Sequence, residues 1–387
     1  MSKKDNLRRE QALEYHASGR PGKIEVVPTK EAKTQKDLSL AYSPGVAIPC
    51  TEIVNNPSDV YKYTAKGNLV GVITNGTAVL GLGNIGPLAS KPVMEGKAVL
   101  FKIFADIDVF DIEINETDPD KFIEIVKSLE PTFGGINLED IKAPECFYIE
   151  QRLRDEMNIP VMHDDQHGTA IISSAALLNA LELQKKKIEK AKFVVNGAGA
   201  AAMACIKLYV ALGARYENFT LFDKDGVLHQ GRTDLGADRK PFAIKSDKMT
   251  LPEAMKSADV FLGLSVGNVV SKEMIASMPK NPVVFALANP DPEIDPAIAR
   301  KYAAVVATGR SDQPNQINNV LAFPGIFRGL LDGRITKITD KMLVAAADAI
   351  SSCVTSDQLN ANFIVPSVFD TQVVTKVADA VKLAGRV

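Results

Sequence analysis

Lys192-Phe-Val-Val-Asn-Gly-Ala-Gly-Ala-Ala-Ala202 decides the fold. Phe193 to Asn196 is a short apolar strand, Gly197 and Gly199 form a turn, and Ala200 to Leu212 continues as a helix without Pro or Gly. Such a turn lets backbone N–H groups approach a pyrophosphate, and the helix N-terminus adds a favourable partial charge. The cofactor turn is therefore read as Gly197, Gly199, Ala200, Ala201 and Ala202. Asp223 closes the next strand, Phe219-Thr-Leu-Phe-Asp, where it can accept hydrogen bonds from an adenosine ribose. Lys224 follows it and could meet a 2′-phosphate, so NAD and NADP both remain open. Ser265 follows a later strand and is expected at the edge of the nicotinamide pocket.

Gly81-Leu-Gly83-Asn-Ile-Gly86 fits the same template, but Pro87, Pro92 and Gly96 come after it. An interior proline ends or kinks a helix. This stretch is read instead as a tight loop shaping the substrate pocket.

Outward from these turns, short apolar strands alternate with helices, which indicates an α/β fold. Strands are expected at 69–74, 78–82, 98–104 and 109–114, then at 192–196, 219–223, 260–264, 283–288 and 304–307. Helices are expected at 7–17, 118–129, 149–157, 169–183 and 200–212, with two more after 340 split by Pro366. The expected division is an N-terminal α/β catalytic domain (1–163), a Rossmann-type doubly wound NAD(P)-binding domain (164–320), and C-terminal helices (321–387) packing back on the first domain or a partner subunit.

Two strand candidates end in adjacent carboxylates. Gly134-Gly-Ile-Asn-Leu-Glu-Asp-Ile141 delivers Glu139 and Asp140, and Val161-Met-His-Asp-Asp-Gln-His167 delivers Asp164 and Asp165. Each pair alone is an ordinary helix-opening acid pair. Together, before one cofactor fold, they read as a shared cluster. Carboxylates without thiols suit Mg2+ or Mn2+. His163 and His167 are expected beside the cluster rather than as ligands.

The chain has 387 residues, 46% hydrophobic and 24% charged, with net charge −2. That length accommodates two domains. The charge offers no field for nucleic acid or an anionic membrane. Cys50, Cys146, Cys205 and Cys353 share no metal spacing and suggest no disulfide framework. No apolar run approaches the roughly 20 residues that span a bilayer. The expected location is the cytoplasm.

Ala41-Tyr42-Ser43-Pro44-Gly45-Val46-Ala47, Val79 to Gly86, Met94-Glu-Gly-Lys97, Asn137-Leu-Glu-Asp140, His163 to Thr169, Asn196-Gly-Ala-Gly199, Ala288-Asn-Pro-Asp291 and Asn318 to Gly325 occur in this order. In this the chain resembles the malic enzymes, especially the short bacterial type. The resemblance implies metal-dependent oxidative decarboxylation of (S)-malate to pyruvate and CO2, through oxaloacetate and enolpyruvate. By motif it implies Tyr42 as general acid, Lys97 as general base and Asp164 beside that lysine. Glu139, Asp140 and Asp165 take the metal-ligand positions. Asn289 and the pair Asn318 and Asn319 match positions at the substrate carboxylate and nicotinamide. A homodimer is implied, and an acyl-CoA effector if a longer parent chain exists. Larger members carry an arginine where this chain has Ala78, so Ser43, Lys62 or a backbone nest after Gly83 would hold the substrate anion. Burial and a bound cation are expected to lower the Lys97 pKa, with Asp164 opposing. An amino-acid dehydrogenase would share the lysine and the two-domain plan, but would not need the carboxylate cluster.

Overall fold

A computed structural model describes residues 3–236 and 238–386. The first sheet comprises β1 (Leu69–Thr74), β2 (Asp108–Glu113), β3 (Gly135–Leu138) and β4 (Val161–His163), in the order β2-β1-β3-β4, all parallel. Buried strands covered on both faces read as continuous apolar runs, and β1, β3 and β4 do so; edge strand β2 alternates.

The second sheet comprises β5 (Phe193–Asn196), β6 (Phe219–Asp223), β7 (Gly226–Val227), β8 (Val260–Gly263), β9 (Val283–Ala286) and β10 (Val305–Thr308). Its order is β10-β9-β8-β5-β6-β7, parallel except for β7. Strand order reverses at β5, which opens a crevice beyond the C-terminal ends of β5 and β8. The fold is α/β, with a Rossmann-type second half.

Helices α1 (Lys3–Ala17), α2 (Gln35–Ala41) and α3 (Ala47–Asn55) precede β1. Then come α4 (Gly86–Ala105), α5 (Pro119–Ser128) and α6 (Glu145–Glu156) around the first sheet, and α7 (Asp164–Leu183) leads from it. Helix α8 (Ala200–Ala211) follows β5. Helices α9 (Phe323–Gly333), α10 (Asp340–Ser351) and α11 (Thr371–Ala384) close the chain. They return to both halves. Phe323 and Phe327 of α9 pack on Phe101 of α4, ring centroids 4.7 and 5.3 Å apart. Asn179 of α7 donates to the carbonyls of Ser351 and Ile364 at 3.1 and 2.9 Å.

Two expected strands are absent. Residues 98–104 lie inside α4, where Met94, Lys97, Ala98, Phe101 and Ala105 are buried at helical spacing. That period is visible only if the segment is read through Pro92, which α4 tolerates. The segment 78–82 forms a single turn of 3-10 helix (Leu80–Leu82) under a Val79–Gly83 bridge, not a strand.

Helices α2 and α3 bury none of their residues. Leu38, Leu40, Tyr42, Ile48 and Val54 all stand exposed on or beside them.

Candidate active site

Parallel pairing places the carboxylates. Leu138, the last residue of β3, is in register with His163, the last of β4, so each strand releases its acids at the same sheet edge. The Asp140 backbone N–H, in a left-handed conformation (φ 54°), donates to Asp165 Oδ2 at 2.9 Å. One carboxylate oxygen each from Glu139, Asp140 and Asp165 lie within 4.8 Å of one another.

Helix α4 brings Lys97 to this cluster. Its Nζ lies 2.7 Å from Asp164 Oδ2, 3.0 Å from Glu139 Oε1, and 4.4 Å from the Phe323 ring centroid. Asn137 Nδ2 donates to Glu139 Oε2 at 2.8 Å, and Asn319 Nδ2 donates to Asp164 Oδ2. Gly168 permits this crowding: a Cβ there would stand 2.1 Å from Asp164 Oδ1. Asn318 turns aside, accepting from the Val320 N–H at 3.0 Å and capping the turn that presents Asn319.

The charges are out of balance. Burial pushes Asp164 up, Lys97 pulls it down and Glu139 pushes it up again, leaving it at about 6. Glu139 is likewise raised, chiefly by burial. Burial lowers Lys97, but Asp164 and Glu139 outweigh it and hold the ammonium above its ordinary value. The expected downward shift of Lys97 is therefore not what its own neighbours produce. One ammonium faces four carboxylates, an excess of negative charge that a divalent cation with hard oxygen ligands fits.

Neither neighbouring histidine belongs to this donor group. His167 Nε2 lies 2.9 Å from Glu150 Oε1, and the same oxygen accepts the His163 backbone N–H at 3.0 Å. The His163 Nε2 atom is 3.8 Å from Asp165 Oδ2.

Across the crevice, Gly197 adopts φ 106°, and a Cβ would fall 2.4 Å from the Leu264 carbonyl oxygen. Gly199 has open space where a Cβ would point, directly before Ala200, Ala201 and Ala202 in the first turn of α8. Ser265 Oγ accepts from Asn196 Nδ2 at 2.8 Å. Asn289 precedes Pro290 through a cis peptide, and Gly81 of the first half lies against this pair; a Cβ on Gly81 would come 3.2 Å from Pro290 Cδ. The decoy glycine loop therefore meets the rim of the second half.

Asp223 is already paired with a cation. Arg232 donates to its two oxygens at 2.7 and 2.8 Å, and also to Asp234. Lys224 points to solvent. Arg232 was missed because it lies nine residues beyond Asp223. The Asp225-Gly226 turn, which folds β7 back on β6, was the available signal.

Tyr42, at the C-terminus of α2, is 77% exposed, whereas Lys97 is 7% exposed. Ser43, in the turn after α2, and Lys62, in a short helix (Val60–Tyr63) after α3, are exposed as well. Among the described residues, none of the three makes a hydrogen bond or ion pair to Lys97, Glu139, Asp164 or Asp165.

The family model for the malic enzyme N-terminal domain matches residues 21–154, and that for the malic enzyme NAD-binding domain matches 166–384. An NADP-dependent malic enzyme of Escherichia coli is 55% identical over 98% of this chain and 52% of its own length. An NAD-dependent malic enzyme of Rhizobium meliloti is 53% identical over 97% of this chain and 51% of its own. The chain thus spans about half the length of these relatives. The crystal structure of malic enzyme from Pyrococcus horikoshii superposes with TM-score 0.93 at 47% identity, covering 98% of this chain and 90% of that one.

Proposed function

The chain belongs to the malic enzyme family, and from that premise we propose that it oxidatively decarboxylates (S)-malate to pyruvate and CO2 while reducing NADP+ or NAD+. The observation that carries this reading is the set of Glu139, Asp140 and Asp164, all buried, with the partly exposed Asp165, gathered around Lys97 at the C-terminal edge of the first sheet.

Glu139, Asp140 and Asp165 would hold Mg2+ or Mn2+, which when bound supplies Lewis-acid polarisation of the substrate's C2 oxygen. Lys97 first hands its own proton to Asp164, 2.7 Å away and raised to about 6, and the freed amine then receives the C2 hydroxyl proton. Asn319 and Gly168 keep Asp164 aimed at Lys97. Ala200 to Ala202 and the Gly197 turn seat the pyrophosphate, while Ser265 and Asn289 border the nicotinamide. The Arg232–Asp223 pair favours NADP, because the acid that would accept ribose hydroxyls is already engaged by a cation.

Tyr42 is the proposed acid for C3, and in its own chain it faces solvent. A homodimer in which α2 of one copy covers the cleft of the other answers both its exposure and that of Leu38, Leu40 and Ile48. It also brings Ser43 and Lys62 as anion-binding candidates.

Turnover with Mn2+, malate and either nicotinamide should yield pyruvate and reduced cofactor, and excess chelator should abolish both. Absence of pyruvate with either cofactor sinks the reading. Chelator-insensitive oxidation of an amino acid would favour a dehydrogenase without a metal.

A further inference from the structure

We propose that the Glu293 carboxylate buckles together the two loops that carry Ser265 and Asn289, and so is a positioning residue for hydride transfer. This rests on the nicotinamide reading given above.

Glu293 is fully buried, and its partners are N–H groups and one hydroxyl rather than a cation. Its Oε1 accepts the Ser265 backbone N–H at 3.0 Å and lies 3.5 Å from the Ser265 hydroxyl oxygen. Its Oε2 accepts the Ala288 N–H at 3.1 Å, one residue before Asn289. One oxygen thus serves the loop after β8 and the other the loop after β9. The backbones interlock around it: Asn268 and Val270 N–H groups donate to the carbonyls of Pro292 and Glu293 at 3.0 and 2.9 Å. Ser265 also accepts from Asn196, next to the Gly197 turn.

Two glycines make room. A Cβ on Gly263 would stand 2.3 Å from Glu293 Cδ, and one on Gly267 would stand 2.7 Å from the Asp291 carbonyl oxygen. A carboxylate buried without a cation is unfavourable, so a filler role would suit an amide better. Only a carboxylate offers acceptors at both ends; a glutamine must turn its NH2 towards one of the two N–H groups. The need for two acceptors, one per loop, is what marks Glu293 as more than packing.

Glu293→Gln tests this in the intact protein. The kcat for malate oxidation should fall about tenfold to a hundredfold, as expected when a buried donor loses its acceptor. The dissociation constant for NADPH, read by fluorescence, should stay within about threefold, since the pyrophosphate and adenosine ends are held elsewhere. Amide hydrogen exchange at Ser265 or Ala288 should quicken while the strands of the second sheet stay protected. Gly263→Ala, which keeps the charge but pushes the carboxylate aside, should reproduce the pattern. Unchanged kcat with unchanged exchange in both variants overturns the proposal. So does equal loss of kcat and cofactor binding with exchange quickening across the whole sheet, the mark of a merely structural acid. If the unaltered protein does not oxidise malate, the activity reading fails, and the exchange measurement still decides whether the buckle exists.

Discussion

A single missing side chain governs how closely Asp164 can approach Lys97. Gly168 lies one helical turn beyond Asp164, and any Cβ there would displace the carboxylate or Asn319. Gly168→Ala should leave the fold intact and lower kcat/KM for malate by about a hundredfold, the usual cost of misplacing a catalytic group by about 1 Å. Steady-state kinetics beside a circular dichroism spectrum would check it. Arg232→Ala should act in the opposite part of the cleft. It frees Asp223 to accept ribose hydroxyls and to repel a 2′-phosphate. The ratio of kcat/KM for NAD over that for NADP should rise about tenfold or more. A third residue, Glu150, sets an acid limit. Burial pushes its carboxyl up, but His167 and then His163 more than offset this and hold it at about 2. A depressed folded pKa contributes stability above the ordinary value near 4.5, and that contribution is lost as pH falls towards 2. The urea midpoint of Glu150→Gln should therefore lie below that of the unaltered protein at pH 5, and the gap should narrow by pH 3.

At the scale of elements, what could be read from the chain depended on how local the signal was. β5, its glycine turn and α8 are contiguous, so an eleven-residue reading found them. The carboxylates at 139, 140 and 165 were legible because each pair ends an apolar strand, and parallel register then brings the strand ends level. Helix α4 was misread at its second half because Pro92 hid a helical period that packing against Phe323 and Phe327 sustains. Arg232 had only the Asp225-Gly226 turn to signal it. Glu293 was invisible, because its partners come from two loops whose geometry no spacing rule encodes. The exposed element α2 makes its own prediction. If Tyr42 serves a neighbouring copy, mixing the inactive variants Tyr42→Phe and Lys97→Ala should restore about a quarter of full activity, since half the dimers would be mixed and each would have one intact site. Mixtures that stay as inactive as the separate variants would assign both residues to one chain.

Viewed as a whole molecule, the chain joins its halves twice. It leaves the first sheet at His163–Asp165 and comes back through Asn318–Asn319 into α9, which packs on α4. The Asn319 side chain reaches Asp164 where the outgoing and returning segments pass each other. A door hung on two pins has one swing axis, and parts near the pins travel least. The acids at 164 and 165 belong to the outgoing segment itself, whereas Gly81 and Pro290 meet from facing leaves. On the proposed reading, a gaping of the cleft that admits malate would therefore part Gly81 from Pro290 and leave the proposed cation cradle almost still.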